Sequence, residues 1–265
     1  SFYIVPTWKC NLKCPHCFVN NIEYKADFNA LLKTLRQCYE KYPDAEFILH
    51  GGEPTFDKDL LKQLLDTGII TSITSNLLTE DPDIIDMINK SNIYTATSWN
   101  PKRFKNDKLY QIWQNNILQL NNKPLVLITL DKDLMEYTPQ QVLNIITKFQ
   151  GIDKVLFEPL LDNTLNDEFQ DKVDSWLCEL YDIWNSVIKN VIAEQILNWR
   201  FDCESQTILP DGSLRNKCTM ANNDHKPVFL SKCLHCPYNK VCIPCSLHTR
   251  CSFYPKFYEK VKSYA

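Results

Sequence analysis

Glycine is scarce in this chain, with five among 265 residues. Few positions are therefore free to adopt left-handed turns or to let backbone approach closely. Long apolar runs are lacking too. No stretch approaches the roughly 18 to 20 apolar residues needed to span a bilayer, so no membrane association is expected. The first ten residues, SFYIVPTWKC, have no basic region followed by a long apolar stretch. They do not read as a secretory signal, and a cytoplasmic location is expected. Excess charge is also missing. A net charge of −3 supplies no strong field for nucleic acid, and no such partner is expected.

What is there is cysteine, 12 residues of it. In a reducing compartment clustered cysteines are metal-binding or catalytic more often than paired. A disulfide scaffold is the competing view. It fits poorly, because 44% apolar and 23% charged residues describe an ordinary cored protein that needs no staples. Three cysteines fall between residues 10 and 17, and seven between 203 and 251. Cys38 and Cys178 stand apart on apolar helical faces and read as buried structural residues.

The middle of the chain alternates short β-rich runs with helix-period runs. Strands are expected at Phe2–Pro6, Phe47–His50, Ser72–Ser75, Tyr94–Ser98, Leu125–Leu130 and Val155–Leu160. One helix is expected around Leu31–Tyr42. A second starts at Asp81-Pro82, a cap followed by proline. A third starts at Thr138, whose Gln141 completes a capping-box pattern. A longer one carries Phe169, Val173, Trp176, Leu177 and Leu180. Six such β/α units imply an α/β fold: a partial, about six-stranded parallel β/α barrel with helices outside. In such folds function sits in loops after the strand C-termini. From about residue 200 the helical period fades, and cysteine, proline, asparagine and lysine dominate. A region this poor in core needs metal to fold. The expected domains are 1–197, the barrel, and 198–265, a small cysteine-rich iron–sulfur domain.

Cys10, Cys14 and Cys17 form a C-x3-C-x2-C triplet just after the first strand. Three thiolates on one tight loop suit three irons of a cubane cluster and leave the fourth iron open. Zinc is the rival, but structural zinc normally takes four ligands, and His16, beside Cys17, is badly placed as the fourth. Gly51-Gly52-Glu53-Pro54-Thr55 follows the second strand and holds two of the five glycines. Alone, it would read as a common glycine turn. Thr74-Ser75-Asn76 and Ser98-Trp99-Asn100 are polar ends of the third and fourth strands.

Together these residues resemble the signature of the radical S-adenosylmethionine superfamily. The resemblance implies that Cys10, Cys14 and Cys17 hold a [4Fe–4S] cluster whose open iron binds the cofactor. Gly51, Gly52, Glu53 and Pro54 match the motif for the methionine amino group, and Asn76 and Ser98 match positions lining the cofactor. The implied chemistry is reductive cleavage of S-adenosylmethionine to a 5′-deoxyadenosyl radical, which abstracts hydrogen from a substrate. An external one-electron donor of flavodoxin or ferredoxin type is implied as a partner.

The C-terminal pattern resembles the SPASM extension of the same superfamily, which carries two auxiliary [4Fe–4S] clusters, making three in all. Two spacings depart from that pattern by one residue: five rather than four between Gly212 and Cys218, and two rather than three between Cys242 and Cys245. Carried over, Cys233, Cys236, Cys242 and Cys251 hold the distal cluster. Cys203, Cys218 and Cys245 hold the proximal one, which is expected to face the substrate. A zinc ribbon would use only four of these seven thiols.

The resemblance implies a ribosomally made peptide as substrate, undergoing crosslinking, oxidation or epimerisation. A small molecule such as a sugar alcohol or amino-acid derivative is the alternative. A non-catalytic, metal-stabilised binding module is the other class, and it would bind no S-adenosylmethionine. With the first strand starting at Phe2, leader-peptide recognition would fall to a separate protein or to the barrel. Asp131 and Glu158, at strand ends, are candidates to bind or deprotonate substrate.

Overall fold

A computed structural model describes residues 1–14, 17, 19, 26–159, 166–184, 205–215, 237 and 254–263. The seven C-terminal cysteines, Cys203, Cys218, Cys233, Cys236, Cys242, Cys245 and Cys251, lie outside the described residues.

The strands are β1 (Phe2–Ile4), β2 (Phe47–Leu49), β3 (Ser72–Ser75), β4 (Tyr94–Trp99), β5 (Leu125–Leu130), β6 (Lys154–Pro159), β7 (Gln206–Ile208) and β8 (Leu214–Arg215). The helices are α1 (Phe28–Lys41), α2 (Lys58–Leu65), α3 (Pro82–Ser91), α4 (Asp107–Gln119), α5 (Pro139–Ile146), α6 (Asp167–Ile183) and α7 (Pro255–Lys262). One sheet runs in the order β6-β5-β4-β3-β2-β1-β7-β8. Pairing is parallel for β1–β2, β2–β3, β3–β4 and β1–β7, and antiparallel for the terminal β7–β8 pair. The α/β class and the six-strand count expected from periodicity are therefore present.

The helices begin where the sequence supplies caps. Asp81 accepts from the Asp83 amide ahead of Pro82, and Thr138 forms the full capping box with Gln141. Asp27, Asp57 and Asn106 do the same for α1, α2 and α4. Such oxygens satisfy amides that the first helical turn leaves without partners.

Burial alternates along the strands with the period of two that a sheet with one covered face requires. Phe2, Ile4, Phe47, Leu49, Ile73 and Ile208 are buried with Leu31, Leu35, Cys38, Leu61, Leu64, Ile84 and Ile88 from α1 to α3. Thr97 faces α4, because the Trp113 indole N–H donates to its hydroxyl at 3.0 Å. Tyr3, Ile48, His50, Thr74, Ala96 and Ser98 fall on the opposite face and are only half-buried.

Strand β7 lies beyond the expected change of character at 197/198 and yet pairs in parallel with β1. The hairpin it starts is tied down by Asp27 N–H to Pro210 O (2.8 Å) and by Thr34 Oγ1 to Gly212 O (2.7 Å). A Cβ on Gly212 would collide with the Ala30 backbone, so only glycine lets the turn seat against α1.

The chain divides into two compact units. The described residues of one fall within Ser1–Leu127, Gln150–Val155 and Cys203–Asn222, and those of the other within Ile128–Phe149, Leu156–Asp202 and Asn223–Ala265. In the second unit α6 buries Val173, Trp176, Leu177, Leu180 and Tyr181. Helix α7 has no side-chain cap of its own. The buried Asp174 of α6 supplies it, accepting from the amides of Lys256 (2.9 Å) and Phe257 (2.8 Å).

Candidate functional site

Cys10, the first of the cysteine loop, comes six residues after Ile4, where the regular parallel ladder of β1–β2 ends. Beyond Ile4 the contact continues: Gly52 N–H donates to Thr7 O (3.0 Å) and Glu53 N–H to Lys9 O (2.8 Å). Cys10 is delivered directly from this extension. The Leu12 amide donates to Cys10 Sγ at 3.4 Å, and the Cys17 amide to Cys14 O at 3.1 Å, which closes a turn between the second and third thiols. All three cysteines are half-buried. Cys17 packs against the apolar group Val5, Trp8, Val19 and Leu209.

Two side chains, Asn11 within the loop and Arg103 remote from it in sequence, tie this loop to distant segments. Asn11 donates to Leu78 O (3.1 Å) and accepts from Asn76 Nδ2 (2.7 Å). Arg103 donates through Nη2 to Cys14 Sγ at 3.3 Å, and through Nη1 to Ser98 O (3.0 Å) and Ser98 Oγ (2.9 Å). Neither Asn11 nor Arg103 was singled out by sequence reasoning. The available signal for Arg103 was the Asn100-Pro101 turn pair ahead of it: Asn100 Oδ1 accepts from the Lys102 and Arg103 amides and presents the guanidinium.

Burial, first of all, pushes the Cys10 thiol up. The Leu12 amide works against it, while the charges of Glu53, Cys14 and Cys17 add to it. Thiolates crowded in this way need a cation among them, and metal binding would release their protons. Among the described residues, no group of three or more His, Cys, Asp or Glu is arranged to hold a single metal ion. Thiolates sharing one zinc would sit about 4 Å apart, given Zn–S bonds of about 2.3 Å. A cluster asks less convergence, because each thiolate binds a different iron. The donor set, three thiols with two N–H···S contacts, fits a cluster better than zinc.

The glycine loop packs closely against the segment that leads to Cys10. Gly51 has φ +121°, a conformation only glycine adopts readily, and a Cβ there would lie 2.6 Å from Val5 Cγ1. A Cβ on Gly52 would collide with Lys9 O. Gly51 thus approaches the Val5 side chain and Thr7 O, and Gly52 the backbone of Trp8 and Lys9, on the segment that leads to Cys10. Glu53, 2% exposed, turns its carboxylate into the protein. Oε1 accepts from Thr55 N (3.1 Å), Thr55 Oγ1 (2.7 Å) and Ser75 Oγ (2.7 Å), and Oε2 from Asn76 N (2.8 Å). Pro54 is buried and opens the short 3-10 turn Pro54–Phe56.

The structure brings Cys10, Cys14, Gly51, Gly52, Glu53, Asn76 and Ser98 into one connected arrangement at the ends of β1 to β4. Asn76 is buried, and its Oδ1 accepts from the Leu78 amide at 2.8 Å. The other two candidates belong to the second unit. Asp131 is buried, and its Oδ1 accepts from Leu134 N at 2.8 Å. Glu158 is half-buried by exposure but closely enclosed, and loss of solvation pushes its carboxyl up to about 7.

No family model matches the chain, and no curated protein does. Solved structures match along nearly its full length. Native anSMEcpe, an anaerobic sulfatase-maturating enzyme, with bound AdoMet and Kp18Cys peptide superimposes with a TM-score of 0.70 at 14% identity, covering 99% of this chain and 96% of that chain. Streptococcus suis SuiB bound to precursor peptide SuiA gives 0.61 at 17% identity, covering 91% of this chain and 70% of that chain. SuiB bound to S-adenosylmethionine gives 0.60 at 16% identity, covering 91% and 69%. The chain therefore shares the fold of these proteins, a partial parallel β/α barrel. Within that fold, the chain is similar to anSMEcpe and SuiB.

Proposed function

We propose that this chain is a radical S-adenosylmethionine enzyme that modifies a ribosomally made peptide. The observation that carries the reading is the cysteine loop itself. Three thiols sit at the C-terminal end of β1, locked from below by a glycine loop and from the side by Arg103 and Asn11. When bound there, a [4Fe–4S] cluster with one iron free for the cofactor supplies the electron that cleaves S-adenosylmethionine to a 5′-deoxyadenosyl radical.

Cys10, Cys14 and Cys17 would hold that cluster. Glu53 keeps the Gly51–Pro54 loop in place and leaves that loop's backbone to meet the methionine end. Ser98, half-buried beside Arg103, and Asn76 are the proposed contacts for the rest of the cofactor. Two auxiliary clusters are assigned to Cys203, Cys218 and Cys245 and to Cys233, Cys236, Cys242 and Cys251. The cysteine-rich region is taken to begin near residue 198, with β7 as its first strand. Glu158, poised near neutrality, is the stronger proton-handling candidate, because Asp131 Oδ1 already accepts from the Leu134 amide. Peptides in the anSMEcpe and SuiB structures support a peptide substrate. A flavodoxin- or ferredoxin-type donor and a separate leader-binding protein are the proposed partners, in a cytoplasmic setting.

Anaerobic reconstitution tests the reading. About 11 to 12 irons per chain are expected from three clusters; about four irons plus one zinc would remove the auxiliary clusters. Cys14→Ala should abolish formation of 5′-deoxyadenosine, and retained cleavage in that variant would sink the radical mechanism. Turnover of a free metabolite rather than a peptide would overturn the substrate assignment. Cys218→Ala should leave 5′-deoxyadenosine formation intact and block the finished product.

A further inference from the structure

Arg103 stands 89 residues from Cys14 in sequence and donates to its sulfur at 3.3 Å. It is not placed there loosely. Asn100 Oδ1 caps the turn that presents it, accepting from the Lys102 and Arg103 amides at 2.9 and 3.3 Å. Nη1 is fixed on two oxygens of Ser98, so the second arm of the planar fork has a set direction. The Cζ atom lies 5.6 Å from the Phe104 ring centroid, and Phe104 in turn packs on Trp113 at 5.1 Å. No salt bridge from Arg103 to a carboxylate is recorded among the described residues. A guanidinium is always charged, and its rigid fork loses little freedom on making several bonds. Three separate contacts, to Asn100, Ser98 and Phe104, thus direct one positive charge at the Cys14 thiol.

We infer that Arg103 is a positioning residue that raises the reduction potential of the cluster held by Cys10, Cys14 and Cys17, with Ser98 as its tether. This rests on the proposed radical S-adenosylmethionine reading. Reduction adds a negative charge to the cluster. A fixed cation and an N–H···S bond at one ligand favour the reduced state over the oxidised one, and hydrogen bonds to sulfur are among the groups that set cluster potentials. Ser98 therefore acts on the cluster through Arg103.

The test is an EPR-monitored redox titration of the reconstituted full chain. The cluster in question is identified as the one whose signal changes on adding S-adenosylmethionine. At the wild-type midpoint the reduced-to-oxidised ratio is one by definition. In Arg103→Met it is expected to fall about tenfold, a downward shift of about 59 mV for one electron, with iron content and melting unchanged. Arg103→Lys, which keeps the charge without the fork, should recover part of the shift. Ser98→Ala should move the midpoint in the same direction by less. A fully loaded Arg103→Met protein with the wild-type midpoint overturns the inference alone. A wild-type chain with no cluster responding to S-adenosylmethionine overturns the proposed function and this inference with it. If Arg103→Met does not load, loading restored by Arg103→Lys supports the role. If neither loads, an unshifted midpoint in Ser98→Ala overturns it and a lowered one supports it.

Discussion

Glu53 holds its loop together from inside the protein. In the sequence, the Gly-Gly-Glu-Pro run resembles a motif that meets a cofactor's amino group. In the fold both carboxylate oxygens face inward, and four donors from Thr55, Ser75 and Asn76 point at them. An ionised carboxylate only accepts, so it matches four donors without conflict. Glu53→Gln puts an amide N–H₂ against at least one of those donors and leaves buried groups unsatisfied. The expected loss is about 2 to 3 kcal/mol, read by urea unfolding of the metal-free chain. An unchanged midpoint would show that the clamp carries no stability.

At the scale of elements, two joints depend on contacts between segments. The loop after β2 presses on the extension of β1 that leads to Cys10, and Gly52 permits it. Gly52→Ala forces its Cβ onto the Lys9 carbonyl and the Trp8 backbone, neither of which yields as a flexible side chain would. The variant should lose more than about 2 kcal/mol and fail to hold iron at Cys10, Cys14 and Cys17; iron analysis with a melting curve checks both. The second joint is α6 to α7. Asp174 caps α7 across the interface, and burial pushes its carboxyl up while the Lys256 and Phe257 amides pull it down. Removing an N-cap costs about 1 to 2 kcal/mol, so Asp174→Ala should fray α7 by that amount. Faster amide exchange in Pro255–Lys262, with α1 unaffected, is the signature.

For the molecule as a whole, two groups oppose each other in their dependence on pH. Burial lowers His50 from 6.5 to about 4 and raises Glu158 from 4.5 to about 7. His50 stays neutral in the fold while its unfolded form takes a proton, so its contribution is full above 6.5 and lost as pH falls toward 4. Glu158 stays protonated in the fold while its unfolded form ionises. Its contribution is full below 4.5 and lost as pH rises toward 7. Each displacement is worth at most about 3 kcal/mol, and the two largely cancel between pH 4.5 and 6.5. Urea unfolding of His50→Gln should therefore show stability falling as pH rises through that window. Glu158→Gln should show it rising. If both variants keep the wild-type profile, these two groups do not set the pH dependence.

The chain's local chemistry was legible from the sequence. The period of two in β2 to β5, the helical period of α1 and α6, the caps at Asp81 and Thr138, and the cysteine spacings are properties of near neighbours. Residues within a few positions decide them through backbone geometry and first-turn hydrogen bonding. Helices α2 and α4 also carried cap residues, Asp57 and Asn106, but their apolar patterns were too short or too mixed to stand out. What only the tertiary structure decided involves partners far apart in the chain. Strand β7 takes the edge of β1 some two hundred residues away, and no local pattern encodes which edge a strand will join. Gly51 and Gly52 turned out to meet the segment Val5–Lys9, Glu53 to meet β3, Asp174 to cap α7, and Arg103 to meet Cys14. Each is a donor–acceptor or steric match that exists only once the sheet brings strand ends together, because hydrogen bonds and close packing act over a few ångströms of space and take no account of distance along the sequence.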